Sequence, residues 1–306
     1  MLDPADLFTY AEPLPALEQP VLLQALDGFV DAGNATRLTR AHLHSALVTE
    51  RVATFDVDQL YDYRGRRPEM IFASDHWESY RAPELVVDAV TDAAGNRFLL
   101  LSGPEPDFQW ERFIAAITQI VRRLGVRLVI GLTAIPMGVP HTRPATVIAH
   151  GTPQSLVEGY TNWLGTVQVP GAAGHLLEYR LGTQGIPAMG FTVNVPHYLA
   201  HLDYPAASAK LLSCVSGMTE LDLPTEALDG AAQAMVADVD SQVAASEQIA
   251  SVVRTLEAQY DEIVAGRSQS LIAEGGRLPT ADELGAEFER FLSQQDDSDP
   301  GEDGPA

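Results

Sequence analysis

The sequence predicts an α/β protein, a three-layer domain built on a mixed or largely parallel sheet and followed by a C-terminal helical extension. Three observations predict it. Continuous Val/Ile/Leu runs recur over the first two thirds of the chain, the pattern of strands covered on both faces. Stretches with helical spacing alternate with those runs, as in βα units. After Leu223-Pro224 the strand signal stops, and apolar residues recur at threes, fours and their sums.

In chain order, strands are expected at Val21–Ala25, Val52–Phe55, Met70–Phe72, Leu85–Val90, Phe98–Leu101, Val126–Leu132, Thr146–Ala149, Thr166–Val169 and Met189–Val195. Helices are expected at Ala32–Val48, Phe108–Leu124, Gly174–Gln184 and Ala206–Ser216. Asp107, with Pro106 before it, is placed to cap the second of these. From Thr225 to about Ala265 there is no proline, and the only glycine is Gly230. Met235, Val239, Ile249, Val253, Leu256 and Tyr260 share one helical face there. Gln242 and Ser246 interrupt the stripe, so it is not a clean coiled coil. Gly275-Gly276 and Pro279 break the chain, and Thr280-Ala-Asp-Glu283 reads as a capping box. The following short helix carries an apolar face of Leu284, Phe288, Phe291 and Leu292. Residues 295–306 are acidic and almost free of apolar side chains, the composition of a disordered tail. The expected division is therefore 1–222 as the α/β domain, 223–294 as the helical extension and 295–306 as the tail.

The charge is −23 over 306 residues, and it is uneven. Residues 220–306 hold 20 acids against 4 bases. Such a chain repels nucleic acid and anionic membrane. No run of 18 apolar residues is present, so no membrane span is expected, and the N-terminus lacks the basic and apolar regions of a signal peptide. Cys214 is the sole cysteine, which excludes an internal disulfide framework and suits a reducing cytoplasm.

The sequence contains no phosphate loop, no G-x-G-x-x-G, no G-x-S-x-G elbow and no Cys/His zinc pattern. ATP-grasp chemistry needs lysines on the nucleotide phosphates, and Lys210 is the single lysine, inside an apolar helical segment. His197 and His201 are four apart, but Tyr198 stands where a zincin has glutamate, so no metal and no cofactor are expected.

The densest charge cluster is Phe55-Asp-Val-Asp-Gln-Leu-Tyr-Asp-Tyr-Arg-Gly-Arg-Arg-Pro68. Its Arg64, Arg66 and Arg67 could fork a phosphate or carboxylate, with Asp56, Asp58 and Asp62 orienting them. The alternative is a self-neutralising loop or subunit contact, which the balance of acids and bases favours. Gly28 lets the backbone turn after the first strand. Asp31 either caps the first helix, the commoner role, or enters a cleft at the strand ends. Glu105, with Asp107 and Glu111, could do acid–base work, although a helix N-terminus attracts acids without any function. His141 and Arg143, in the proline-stiffened loop 136–144, could bind an anion or move a proton, or could be the polar tips of a rigid packing loop.

Four segments resemble the proteasome assembly chaperone 2 family in its actinobacterial branch. They are the cluster above, Ala25-Leu-Asp-Gly-Phe-Val-Asp-Ala-Gly33, Ser102-Gly-Pro-Glu-Pro-Asp-Phe-Gln-Trp-Glu111 and Gly138-Val-Pro-His-Thr-Arg-Pro144. The resemblance covers roughly residues 20 to 215. It implies a fold like that of purine nucleoside phosphorylases, protein partners, self-association and an assembly role. Relatives dock on proteasome α-subunits through a C-terminal hydrophobic–Tyr–X tail. This sequence ends Gly-Glu-Asp-Gly-Pro-Ala, so docking by that route is not expected. The alternative that the fold implies is an enzyme using a phosphorylase-like cleft on an anionic or nucleoside substrate.

Overall fold

The computed structural model describes residues 2–160 and 165–264. In chain order its elements are β1 (Phe8–Tyr10), β2 (Val21–Asp27), α1 (Ala35–Ala46), β3 (Val48–Phe55), β4 (Met70–Ala73) and β5 (His76–Tyr80). They continue with β6 (Val86–Thr91), β7 (Arg97–Pro104), α2 (Trp110–Arg123), β8 (Leu128–Met137) and β9 (Val147–Thr152). The last are α3 (Ala173–Thr183), β10 (Ala188–Pro196), α4 (Pro205–Thr219), α5 (Glu226–Ala244) and α6 (Glu247–Val264). One sheet of eight strands runs in the order β1-β3-β6-β7-β2-β8-β10-β9. Its centre, β7, β2, β8 and β10, is parallel. The remaining neighbours pair antiparallel.

The runs of apolar residues explain the layers. β2 sits mid-sheet, and Val21 to Leu26 is buried throughout. Val21, Leu23 and Ala25 join Ile130, Leu132 and Phe191 beneath α1, α4 and α5. Leu22 and Leu26 turn the other way and join Leu99, Leu101 and Val129 beneath α2 and α3. Strands buried on two faces need both registers apolar, which is why they read as continuous runs. α2 presents Phe113, Ile117, Ile120 and Val121 to the sheet at helical spacing.

Four expectations change. Thr166–Val169 is not a strand. It lies off the sheet between Gly165 and Pro170, with Val167 and Val169 exposed. Met70–Phe72 is a strand, but among the described residues it pairs only with β5, in a separate hairpin, instead of entering the core. The stripe after Thr225 is two helices, because the chain breaks at Ala245-Ser246. There the Ser246 carbonyl and hydroxyl accept from the Ala250 and Ile249 amides, so the residue that interrupts the stripe starts the second helix. Asp107 does not cap α2. The cap position is Gln109 in the left-handed conformation, and the Asp107 carboxylate is occupied elsewhere. The expected helix after Thr280 and the tail 295–306 lie outside the described residues.

Candidate functional site

The C-terminal ends of β2 and β8, with the middle of β10 and β9, enclose a cavity of about 470 Å³. In open α/β sheets such strand ends are where ligands bind. The Gly28-Phe29-Val30 turn after β2 forms one wall, and the first turn of α3 forms the roof. Glu105, just after β7, lies between them. Its Oε1 accepts the Ala173 amide at 2.5 Å, which caps the start of α3. Burial pushes the Glu105 carboxyl up, against the Ala173 amide and the Arg66 charge, which favour its ionised form.

The cavity floor is polar. Thr133 on β8 and Thr192 on β10 bring their hydroxyls to 2.7 Å. The His150 ring on β9 places Nε2 at 3.3 Å from the Thr192 hydroxyl and Nδ1 at 2.9 Å from Glu178 on α3. This is a carboxylate–imidazole–hydroxyl relay, able to hold or pass a proton at Thr192 Oγ1. Acyl transfer would also require amides converging on an oxyanion. The β10 amides around Thr192 pair instead with β8 and β9. Among the described residues, the lining carries Glu105 and Glu178 but neither arginine nor lysine.

The residues singled out from the sequence fall in separate places. Gly28 and Glu105 line the cavity. Asp31 caps α1, accepting the Thr36 amide at 2.8 Å and the Arg37 amide at 3.0 Å. The aspartates of the charged loop fold the loop itself. Asp56 accepts from the Asp58 amide and the Gln59 side chain, and Asp58 accepts from the Tyr63 hydroxyl at 2.6 Å. Asp62 accepts the Arg64 amide at 2.9 Å, and hydrogen bonds from the Gly65 and Arg64 backbone hold its carboxyl below the usual range. The expected pairing of the loop arginines with these three aspartates is not seen. Arg66 donates instead to Asp107 and to the Glu105 carbonyl, and lies 4.6 Å over the Tyr61 ring. Arg64 and Arg67 are exposed and make no ion pair among the described residues.

His141 and Arg143 form a latch. The buried His141 ring accepts from the Tyr198 hydroxyl at 2.7 Å and donates to Asp240 on α5 at 3.1 Å. Arg143 forks Asp261 on α6 at 2.7 and 2.8 Å and reaches Glu257 at 3.2 Å. Tyr260 donates to the Pro144 carbonyl at 2.9 Å. The proline loop therefore clamps the two C-terminal helices, and carboxylates already occupy the groups that an anion would use.

Two features escaped the sequence reading. Arg112 on α2 is 5% exposed and donates to the Asp3 carbonyl, Gln59 and Gln109, fixing the N-terminal segment. The hairpin β4–β5 exposes Met70, Ile71, Phe72, Trp77 and Tyr80. Met70 pairs across with Tyr80 and Phe72 with Trp77, so these four share one face. The rings of Phe72 and Trp77 meet edge to face at 5.1 Å.

An α/β domain with a parallel core, a strand-end cavity, a helical latch and a free aromatic hairpin defines the class. Residues 25–243 match the PAC2 family, and the chain belongs to it. The match ends in the last turn of α5, so α6 lies beyond it. A crystal structure of a protein of unknown function from Mycobacterium tuberculosis is 46% identical, with a TM-score of 0.82 over 95% of this chain and 96% of that one. Another protein of unknown function, from Corynebacterium glutamicum, is 36% identical, with a TM-score of 0.83 over 86% of this chain and 100% of that one. A proteasome-assembly chaperone homologue from Mycobacterium tuberculosis is 24% identical, with a TM-score of 0.70 over 76% of this chain and 99% of that one; at that identity the likeness is one of fold. No curated protein matches the chain.

Proposed function

We propose that this chain is an assembly-type interaction protein that docks on a protein partner through the β4–β5 hairpin, in the cytoplasm. The observation that carries the reading is the hairpin itself. An isolated two-stranded ribbon is marginal in water. This one leaves Phe72 55% and Trp77 63% exposed, together with three more large apolar side chains. Clusters of exposed aromatics on a projecting element fit a partner's pocket and supply most of the energy of an interface. Membership of the PAC2 family supports the same reading, as does the fold shared with a proteasome-assembly chaperone homologue. The acidic surface disfavours nucleic acid as the partner.

The test is native mass spectrometry of the full chain, alone and mixed with proteasome α-subunits, beside the double variant Phe72→Ser/Trp77→Ser. Self-complexes or α-subunit complexes that the double variant loses, with an unchanged melting temperature, are the expected result. A wild-type chain that stays monomeric and captures no α-subunit overturns the reading. A second reading, small-molecule binding or catalysis at the strand ends, is favoured by the Thr192–His150–Glu178 relay.

A further inference from the structure

The cavity floor departs from the rest of the sheet in a way that protein docking does not explain. On the α4 side the central strands present Leu23, Ile130, Leu132 and Phe191. On the α3 side the same strands carry Gln24, Gly131, Thr133, Gly190 and Thr192. An apolar floor would pack α3 at lower cost, because a glutamine held beneath a helix gives up side-chain freedom and part of its hydration. Gln24 is 4% exposed, lines the cavity and makes no hydrogen bond among the described residues.

Glycines make the space for this polar floor. A Cβ on Gly174 would lie 2.7 Å from the Gln24 Oε1, and one on Gly131 would lie 3.1 Å from it. A Cβ on Gly190 would collide with the His150 ring and lie 3.0 Å from Glu178. The sequence therefore gives up packing at three contiguous points to keep an amide, an imidazole and a carboxylate facing one cavity.

The chemistry of the walls narrows the ligand. A carboxamide offers a donor and an acceptor side by side, the complement of a lactam edge. Apolar side chains, among them Leu26, Val30, Ile135 and Ile148, stand around it as walls for a flat body, and Phe29 and Val169 are exposed at the rim. The volume of about 470 Å³ suits a heterocycle with a sugar-sized substituent. A phosphate would meet Glu105 and Glu178 with no arginine or lysine among the described lining residues. We propose that this cavity binds an uncharged planar nitrogen heterocycle, held at its lactam edge by Gln24, and rejects phosphorylated forms of it.

The probes are inosine, uridine and their monophosphates, titrated calorimetrically into the full chain. At least one nucleoside should bind saturably at or below millimolar concentration, and its monophosphate at least about tenfold more weakly, the scale of one lost or added polar contact. Gln24→Leu should lose that binding about tenfold or more while melting no lower than wild type, a result that a merely structural glutamine would not give. Gly174→Ala pushes a methyl against the amide and should lose binding likewise, which keeps the proposal testable if Gln24→Leu does not fold. Absence of nucleoside binding, monophosphates bound as tightly as nucleosides, or undiminished binding by the folded variants would each overturn it. None of these outcomes bears on the hairpin.

Discussion

The docking of α6 can be tested by placing one charge. Val253 is 5% and Leu256 8% exposed, and Leu256 reaches over Gly138 in the proline loop. Each of these side chains, fully buried, is worth about 1.5–3 kcal/mol. The pair therefore supplies roughly 3–6 kcal/mol of gross stabilisation to one helix, before the entropy of ordering it. The Arg143 pairs at its edge are partly exposed and add about 1 kcal/mol or less each. Val253→Asp removes about half of the apolar term and demands that a carboxylate be buried without a partner, which costs more than the helix has left to gain. The chain escapes that cost by releasing α6 while the sheet stays packed. Hydrogen exchange should then show α6 amides losing protection, with β2, β8 and β10 unchanged. The main melting transition should fall by no more than about 2 °C, because a core loss of about 3 kcal/mol in a domain this size would lower it by roughly 6–12 °C. A variant that keeps α6 protected, or that loses the larger amount from the whole domain, would refute a separable latch.

Four further outcomes follow from single positions. Gly103 has φ +127°, and a Cβ there would strike the Glu84 carbonyl, so Gly103→Ala should cost more than about 3 kcal/mol by urea midpoint. Gly95, at φ +90° with open space around it, should tolerate alanine for about 1 kcal/mol. Burial pushes the Asp92 carboxyl up, but hydrogen bonds from Asp222, Asn96 and Ala94 outweigh it and hold the group low. Its stabilisation is then present above the unfolded value of about 3.9 and lost as pH falls through the lower folded value. The stability gap between wild type and Asp92→Asn should accordingly be full at neutral pH and close below about pH 4; a gap that does not change with pH would contradict this. Millimolar phosphate should give no saturable thermal shift through the charged loop, because Arg66 is already held by Asp107. A shift that Arg66→Ala abolishes would restore the anion site.

Much of the fold was legible because burial on two faces leaves a strong mark. β2, β6, β7, β8 and β10 lie where continuous apolar runs place them, and α1 to α4 follow from spacing. The failures share one cause, which is that pattern alone does not say what covers a segment. Val167 and Val169 look like a strand core, yet no neighbour among the described residues buries them. Met70-Ile-Phe72 looks like one too, and it is the most exposed apolar cluster on the molecule's hairpin. His76-Trp-Glu-Ser-Tyr80 was missed because strict alternation puts Trp77 and Tyr80 on opposite faces, and only the register shift between Ile71 and Phe72 sets them against Phe72 and Met70.

The candidate site was less legible, for a geometric reason. Gln24, Thr133, His150 and Thr192 lie on four strands, and only the order β2-β8-β10-β9 brings them to one floor. In the sequence each is a single polar residue within an apolar run, the ordinary look of a half-buried strand. The usable signal was joint: a glutamine inside Val21–Leu26, and glycines at 131 and 190 inside strands otherwise made of larger side chains. Glycine in a strand interior forfeits packing and marks close approach of another group. Here that group is Gln24 for Gly131 and the His150 ring for Gly190, so the two glycines record the cavity contents before the fold assembles them. Charge density pointed instead to the arginine loop, where the acids close turns and the half-buried Arg66 runs back to Asp107. Dense charge in a loop reports how that loop folds in water. Sparse polarity in a buried sheet costs more than apolar packing there would, and it is the stronger indicator of a ligand.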